Sequence, residues 1–184
     1  MMLRVLLALA QGFEEIEAVT SIDILRRAGL NVFIGSLGRD LLVKGAHGII
    51  IKADLLLKDF NYVADAFVLP GGLPGAENLA NSELVNNLII KCIEQGKIVA
   101  AICASPAYVL SPLGILKGKS VTCYPGCKDR LVKDAVYLED DVVVDGKIIT
   151  SAGVGTALQF ALTIVKELVG EQAALKVKNA VLVK

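Results

Sequence analysis

The chain has 184 residues, 54% of them hydrophobic, and its 19 basic and 19 acidic side chains cancel to zero net charge. A chain of this length buries about 70% of its unfolded surface and needs no staples, and without a surplus of Lys and Arg it has no face for duplex nucleic acid. There is a single histidine, His47, so catalysis must use that imidazole or a carboxylate in its place.

Residues 3–10 form a nearly continuous apolar run bounded by Gly12, the pattern of a buried strand. A helix is predicted over 14–28: acids crowd its first turn, Ile16, Val19, Ile22 and Leu25 or Ile24 supply the apolar stripe, Arg26 and Arg27 close it, and Gly29 stops it. Strand 31–36 follows, and 41–51 reads as two short strands about Gly45-Ala46-His47-Gly48. Strand 65–69 runs into Pro70-Gly71-Gly72. Two helical segments come next, the second opening at Asn81-Ser82-Glu83, before a buried strand at 98–102. A short strand is predicted at 121–123, a hairpin over 142–150 turning on Asp145-Gly146, and an amphipathic helix at 157–168. Gly170 ends that helix, and a further helical stretch runs to about residue 178. Alternating strands and helices imply right-handed crossovers and a mostly parallel sheet in one domain spanning 1–184, with ligand sites beyond the carboxyl ends of the strands.

The uncharged stretches 98–116 and 148–165 approach membrane-spanning length, but Pro and Gly break both, and strands buried on two faces explain them without lipid. The N-terminus lacks a small-residue cleavage pattern. The expectation is a soluble, cytoplasmic protein. Gly114 to Ser120 has three residues between its glycines where a phosphate loop has four, and Gly153-Val154-Gly155 lacks the third small residue of a dinucleotide fingerprint. Cys123 and Cys127 have a possible ligand spacing but no second paired motif, so no metal is expected. Cys92 reads as core.

Cys103 stands where strand 98–102 ends, and Ser105-Pro106 supplies an N-cap with proline at the first helical position. A thiol at a helix N-terminus has its thiolate favoured, and a strand-to-helix turn resembles the nucleophile elbow of hydrolases. Spacing alone leaves two readings of Cys103, reactive or simply buried. Pro70-Gly71-Gly72 ends a neighbouring strand, either as a plain turn or as backbone that lets amides approach a substrate oxyanion beside the amide of Ala104. The Glu14-Glu15-Ile16-Glu17 cluster is either solvated charge at a helix start or, turned inward, a source of a carboxyl with a raised pKa.

Four segments, Gly12-Phe13-Glu14-Glu15-Ile16-Glu17, Val68-Leu69-Pro70-Gly71-Gly72, Ala100-Ala101-Ile102-Cys103-Ala104-Ser105-Pro106 and Thr150-Ser151-Ala152-Gly153-Val154-Gly155-Thr156, together resemble the ThiJ/PfpI superfamily, which has a class I glutamine amidotransferase-like fold. The match is nearest its DJ-one branch of stress-protective proteins. The resemblance implies a flavodoxin-like three-layer α/β sandwich and a homodimer. It also implies Cys103 as the nucleophile, Glu17 as a protonated carboxyl bonded to its sulfur, and the amides of Gly72 and Ala104, with Gly71 beside them, lining an anion site. No cofactor is implied.

Departures from the family narrow the activity. Protease-like members carry His where this chain has Ala104, so peptidase activity is not expected. Closer relatives often have His at the position of Tyr124, and a phenol is a poor base at neutral pH. Val154 replaces a usual proline, and His47 falls where relatives tend to have an Arg near the dimer interface. A Cys-Glu pair without a usable His suits proton transfer beside a thiohemiacetal. The expected function is a cofactor-free glyoxalase or deglycase type of enzyme, turning methylglyoxal to lactate or acting on glycated substrates. Two other readings stand beside it: a redox sensor or holdase using an oxidisable Cys103, and a role in thiazole monophosphate biosynthesis, an old family label that no nucleotide or thiamin motif supports.

Overall fold

The computed structural model describes residues 2–183. The strands are β1 (Arg4–Leu9), β2 (Asn31–Ser36), β3 (Leu42–Lys44), β4 (Ile50–Lys52), β5 (Leu55–Leu56), β6 (Ala66–Leu69), β7 (Ile98–Ile102), β8 (Ser120–Val121), β9 (Val136–Tyr137), β10 (Val142–Asp145) and β11 (Ile148–Ser151). The helices are α1 (Glu15–Arg27), α2 (Gly75–Ala80), α3 (Glu83–Glu94), α4 (Ala157–Val169) and α5 (Glu171–Ala180). Seven strands form one sheet in the order β10-β11-β7-β6-β1-β2-β5. Every pairing in it is parallel except β10 with β11, the predicted hairpin. The protein is therefore a mostly parallel α/β sandwich, as the alternation of patterns implies.

Period two along β1 divides the core between the two faces of the sheet. Val5, Leu7 and Leu9 join Ile22 and Leu25 of α1, Phe160 and Ile164 of α4 and Val177 of α5. Leu6 and Ala8 join Leu79 of α2 and Val85, Ile89 and Cys92 of α3. Helices on both faces leave β6, β7 and β11 wholly buried, which accounts for the uncharged runs. Among the described residues no helix is long and apolar enough to cross a membrane. Gly170, at φ 107, separates α4 from α5 in the left-handed region that glycine tolerates.

Three local expectations are corrected. The stripe predicted for α1 is rotated: Ile16 and Val19 are about half exposed, whereas Glu15, Glu17, Ala18, Ser21, Ile22 and Leu25 are buried. The carboxylates occupy the inner face of the first turn and displace the apolar residues from it. The strand expected at 121–123 is Ser120–Val121, because Thr122 N–H turns to the Thr150 hydroxyl at 2.9 Å. Ser105 is not an N-cap. It already has helical dihedrals and makes no capping bond, and Pro106–Leu110 forms a single π-type turn.

Candidate active site

β1, β6 and β7 end side by side, bringing the start of α1, the Pro70-Gly71-Gly72 turn and Cys103 together. Cys103 sits at φ 62, in the left-handed region that a side-chain-bearing residue occupies at a cost of about 1–3 kcal/mol. The conformation is held from both directions: Cys103 N–H donates to Ser151 O at 2.9 Å, and Cys103 O accepts from Tyr124 N–H at 2.8 Å. The side chain is thereby pushed out at the top of the sheet, the geometry of a nucleophile elbow.

Glu17 is fully buried beneath it. Its Oε2 accepts from Gly71 N–H at 2.7 Å, Oε1 has no hydrogen-bond partner, and the carboxyl lies against the Cys103 thiol. A buried carboxylate oxygen without a donor is costly, and protonation removes the cost. Desolvation accordingly raises the pKa of Glu17 from 4.5 to about 7, against the lowering effect of the Gly71 amide. Burial also pushes the Cys103 thiol up, as does an ionised Glu17, while the amides of Ala104 and Gly72 pull it down. The helix-terminus argument for an acidified thiol is corrected on this point: no long helix starts here, and the favourable dipoles reduce to those two amides. The two groups thus oppose each other's ionisation, and a proton on Glu17 turns the carboxyl from a repelling charge into a neutral neighbour of the sulfur.

The glycines are required sterically. A Cβ on Gly71 would lie 2.7 Å from Cys103 Cβ and 2.9 Å from Glu17 Oε2. Because the Gly71 amide is committed to Glu17, Gly72 and Ala104 are the pair whose amides face the sulfur. Gly153 closes another side, its virtual Cβ 3.9 Å from Cys103 Sγ. It is fixed by Thr156, whose Oγ1 donates to Gly153 O at 2.9 Å and accepts from its N–H at 3.1 Å. Thr156 was not singled out in the sequence, since it carries no motif signal of its own, and Ser105 was read only as an N-cap. Ser105 Oγ donates to Pro70 O at 2.6 Å in the buried interior, tying the elbow to the oxyanion turn. Ser105→Ala is expected to lower stability by about 1–3 kcal/mol in urea denaturation, by orphaning that carbonyl.

Glu14 and Glu15 are also buried, which overturns the solvated reading of the cluster. Glu15 Oε1 accepts from the N–H groups of His47 and Ile49 at 2.7 and 3.3 Å, and His47 Nδ1 lies 2.9 Å from Glu15 Oε2 and 3.5 Å from Glu14 Oε2. Both carboxylates raise the pKa of His47, with the Glu15 hydrogen bond the largest cause. His47 therefore fastens the β3–β4 turn to α1 and does not reach Cys103 within the protomer. Among the described residues, Glu14, Glu15 and His47 also bring ligand atoms within 4.8 Å of one another, close enough to hold a metal. Tyr124 stands at the mouth of the site, half exposed. A cavity of about 560 Å³ between α4 and α5 is not lined by Cys103.

A cysteine elbow over a buried carboxyl on a parallel sheet defines a class of α/β-sandwich proteins with a candidate thiol site. The chain belongs to the DJ-1/PfpI family, matched over residues 3–167. It is 44% identical over 181 residues to Protein DJ-1 homolog A of Arabidopsis thaliana, covering 98% of this chain and 46% of that relative. It is 38% identical over 161 residues to the glutathione-independent glyoxalase DJR-1.2 of Caenorhabditis elegans, covering 86% of this chain and 84% of that one. The solved structure of oxidized Toxoplasma gondii DJ-1 superposes with a TM-score of 0.95 at 39% identity, over 98% of both chains. The chain spans about half the length of the Arabidopsis relative and most of the other two.

Proposed function

We propose that the protein is a stress-protective, cysteine-dependent enzyme that converts small reactive carbonyls such as methylglyoxal to 2-hydroxy acids without a cofactor. The observation that carries the reading is the buried carboxyl of Glu17, one oxygen of it without a donor, against the Cys103 thiol. The Cys103 thiolate adds to the aldehyde carbon, forming a C–S bond, and the oxygen takes up the proton. The amides of Gly72 and Ala104 hold the developing oxyanion. Glu17 then removes the proton from that carbon and returns it to the neighbouring ketone carbon, while the hydroxyl proton passes to the former ketone oxygen, leaving a thioester of lactate. Water cleaves the thioester, releasing lactate and the thiol. The named activity of the Caenorhabditis elegans relative supports this reading, and deglycase-type action on early adducts would use the same steps. The test is lactate formation from methylglyoxal, followed by NMR in buffer free of amines and thiols. Wild type should exceed Cys103→Ala by at least about 100-fold, the scale of covalent and acid-base contributions. Equal rates would sink the reading.

The half-buried sulfur and the oxidised state of the Toxoplasma gondii neighbour favour a second role as a redox sensor. Mild peroxide should then add two oxygens at Cys103 ahead of the three other thiols, as read by peptide mass. A homodimer is also part of the proposal: Ile16 and Val19 on α1 and Ile49 and Ile50 beside the β3–β4 turn are exposed apolar groups near the site.

A further inference from the structure

The surroundings of the thiol are unequal. Glu17 and the Gly72 amide close its inner side, and the way out passes Tyr124, which is 52% exposed. Tyr124 N–H bonds to the carbonyl of Cys103 itself, at 2.8 Å, so the ring springs from a point fixed to the nucleophile. A Cβ on Gly153 would stand 3.7 Å from Tyr124 Cδ2 and 3.9 Å from Cys103 Sγ, so ring and sulfur border the same spot free of any side chain. A Cβ on Gly126 would stand 3.2 Å from Tyr124 Cε1, tighter than ordinary packing allows. Two glycines thus make room for the ring, one of them shared with the sulfur.

We propose that Tyr124 is the specificity-determining wall of the thiol entrance, and that it selects 2-oxoaldehydes bearing a flat, apolar substituent over methylglyoxal. The inference deepens the enzymatic reading and rests on it. Once the aldehyde carbon is bonded to Sγ, its substituent must point outward, because the inner side is filled. The phenol ring is the aromatic surface bordering that spot, where Gly153 contributes no side chain of its own. An aryl substituent stacks on such a face and a methyl group does not. The chemistry is unchanged: an arylglyoxal plus water gives an aryl 2-hydroxy acid.

The experiment measures kcat/KM for phenylglyoxal and for methylglyoxal in wild type, Tyr124→Phe and Tyr124→Ala, with circular dichroism to confirm folding. The phenylglyoxal-to-methylglyoxal ratio should fall about fivefold in Tyr124→Ala, the size of one aromatic contact. The change should appear mainly in KM for phenylglyoxal, with the ratio kept in Tyr124→Phe. An unchanged ratio in Tyr124→Ala overturns the proposal. Should Tyr124→Ala fail to fold, Tyr124→Leu carries the same comparison. If neither aldehyde is turned over, the enzymatic reading fails, and alkylation of Cys103 by N-phenylmaleimide against N-methylmaleimide, read by peptide mass, decides the wall. A similar fall in that ratio upholds it, and an unmoved ratio removes it.

Discussion

Glu17→Gln is expected to give a protein that is more stable at pH 8 and far less active. The folded-state pKa of Glu17 is raised from 4.5 to about 7 by burial. Between these values the folded protein keeps a proton that the unfolded chain has released, so stability falls as pH rises through the window. The loss, complete above about pH 7, is about 3 kcal/mol. Glutamine cannot ionise, so the variant escapes it, and urea midpoints of the two proteins should separate as pH rises from about 5 to 8. Turnover of methylglyoxal should drop about 10²- to 10⁴-fold with the proton carrier gone. Alkylation of Cys103 by iodoacetamide should survive. In the wild type its pH profile should bend near 7, where the ionising carboxyl begins to oppose the thiolate, and in Glu17→Gln that bend should vanish. A variant destabilised at pH 8, with urea midpoints that do not separate from those of the wild type between pH 5 and 8, would mean that burial does not raise the pKa of Glu17.

Gly72→Ala should be among the most damaging single substitutions in the chain. Gly72 has φ 84, and a Cβ there would lie 2.5 Å from Glu14 N and 2.7 Å from Gly12 O, both backbone atoms of the segment leading into α1. Neither can rotate away. The left-handed conformation and the collision together should cost about 4 kcal/mol, a large share of an ordinary domain's stability. Gly29→Ala separates the two terms, since Gly29 has φ 79 with nothing within 4 Å of its virtual Cβ. It should lose only about 1–2 kcal/mol in thermal or urea denaturation. Equal losses at the two positions would show that the turn can shift away from Glu14, and that its amides are held less tightly than the site requires.

The parallel sheet was legible because its central strands are buried on both faces and so appear as unbroken apolar runs, and because Gly29 and Gly170 mark helix ends. β5 and β9 escaped notice, since two residues leave no periodicity to read. Cys103 and Gly72 stood out through their places at strand ends. The inward turn of Glu14, Glu15 and Glu17 did not, because charge at a helix start looks the same whether solvated or buried. What decides it lies far along the chain: the Gly71 amide, 54 residues from Glu17, and the His47 turn, 32 residues from Glu15. The misplaced stripe of α1 has the same origin. The resemblance carried by four short motifs selected Glu17, whereas local pattern did not.

The two margins of the large sheet bear on how copies of the protein can meet. At one margin β5 is only two residues long. At the other, Asp145 at the end of β10 is occupied by Ser120 N–H at 2.9 Å and Lys119 Nζ at 3.0 Å, with β8 packed against the strand. Neither margin offers a long row of free amides and carbonyls, so the sheet resists templated growth and runaway strand exchange. Self-recognition is left to side chains, whose fit saturates once a finite complex has closed.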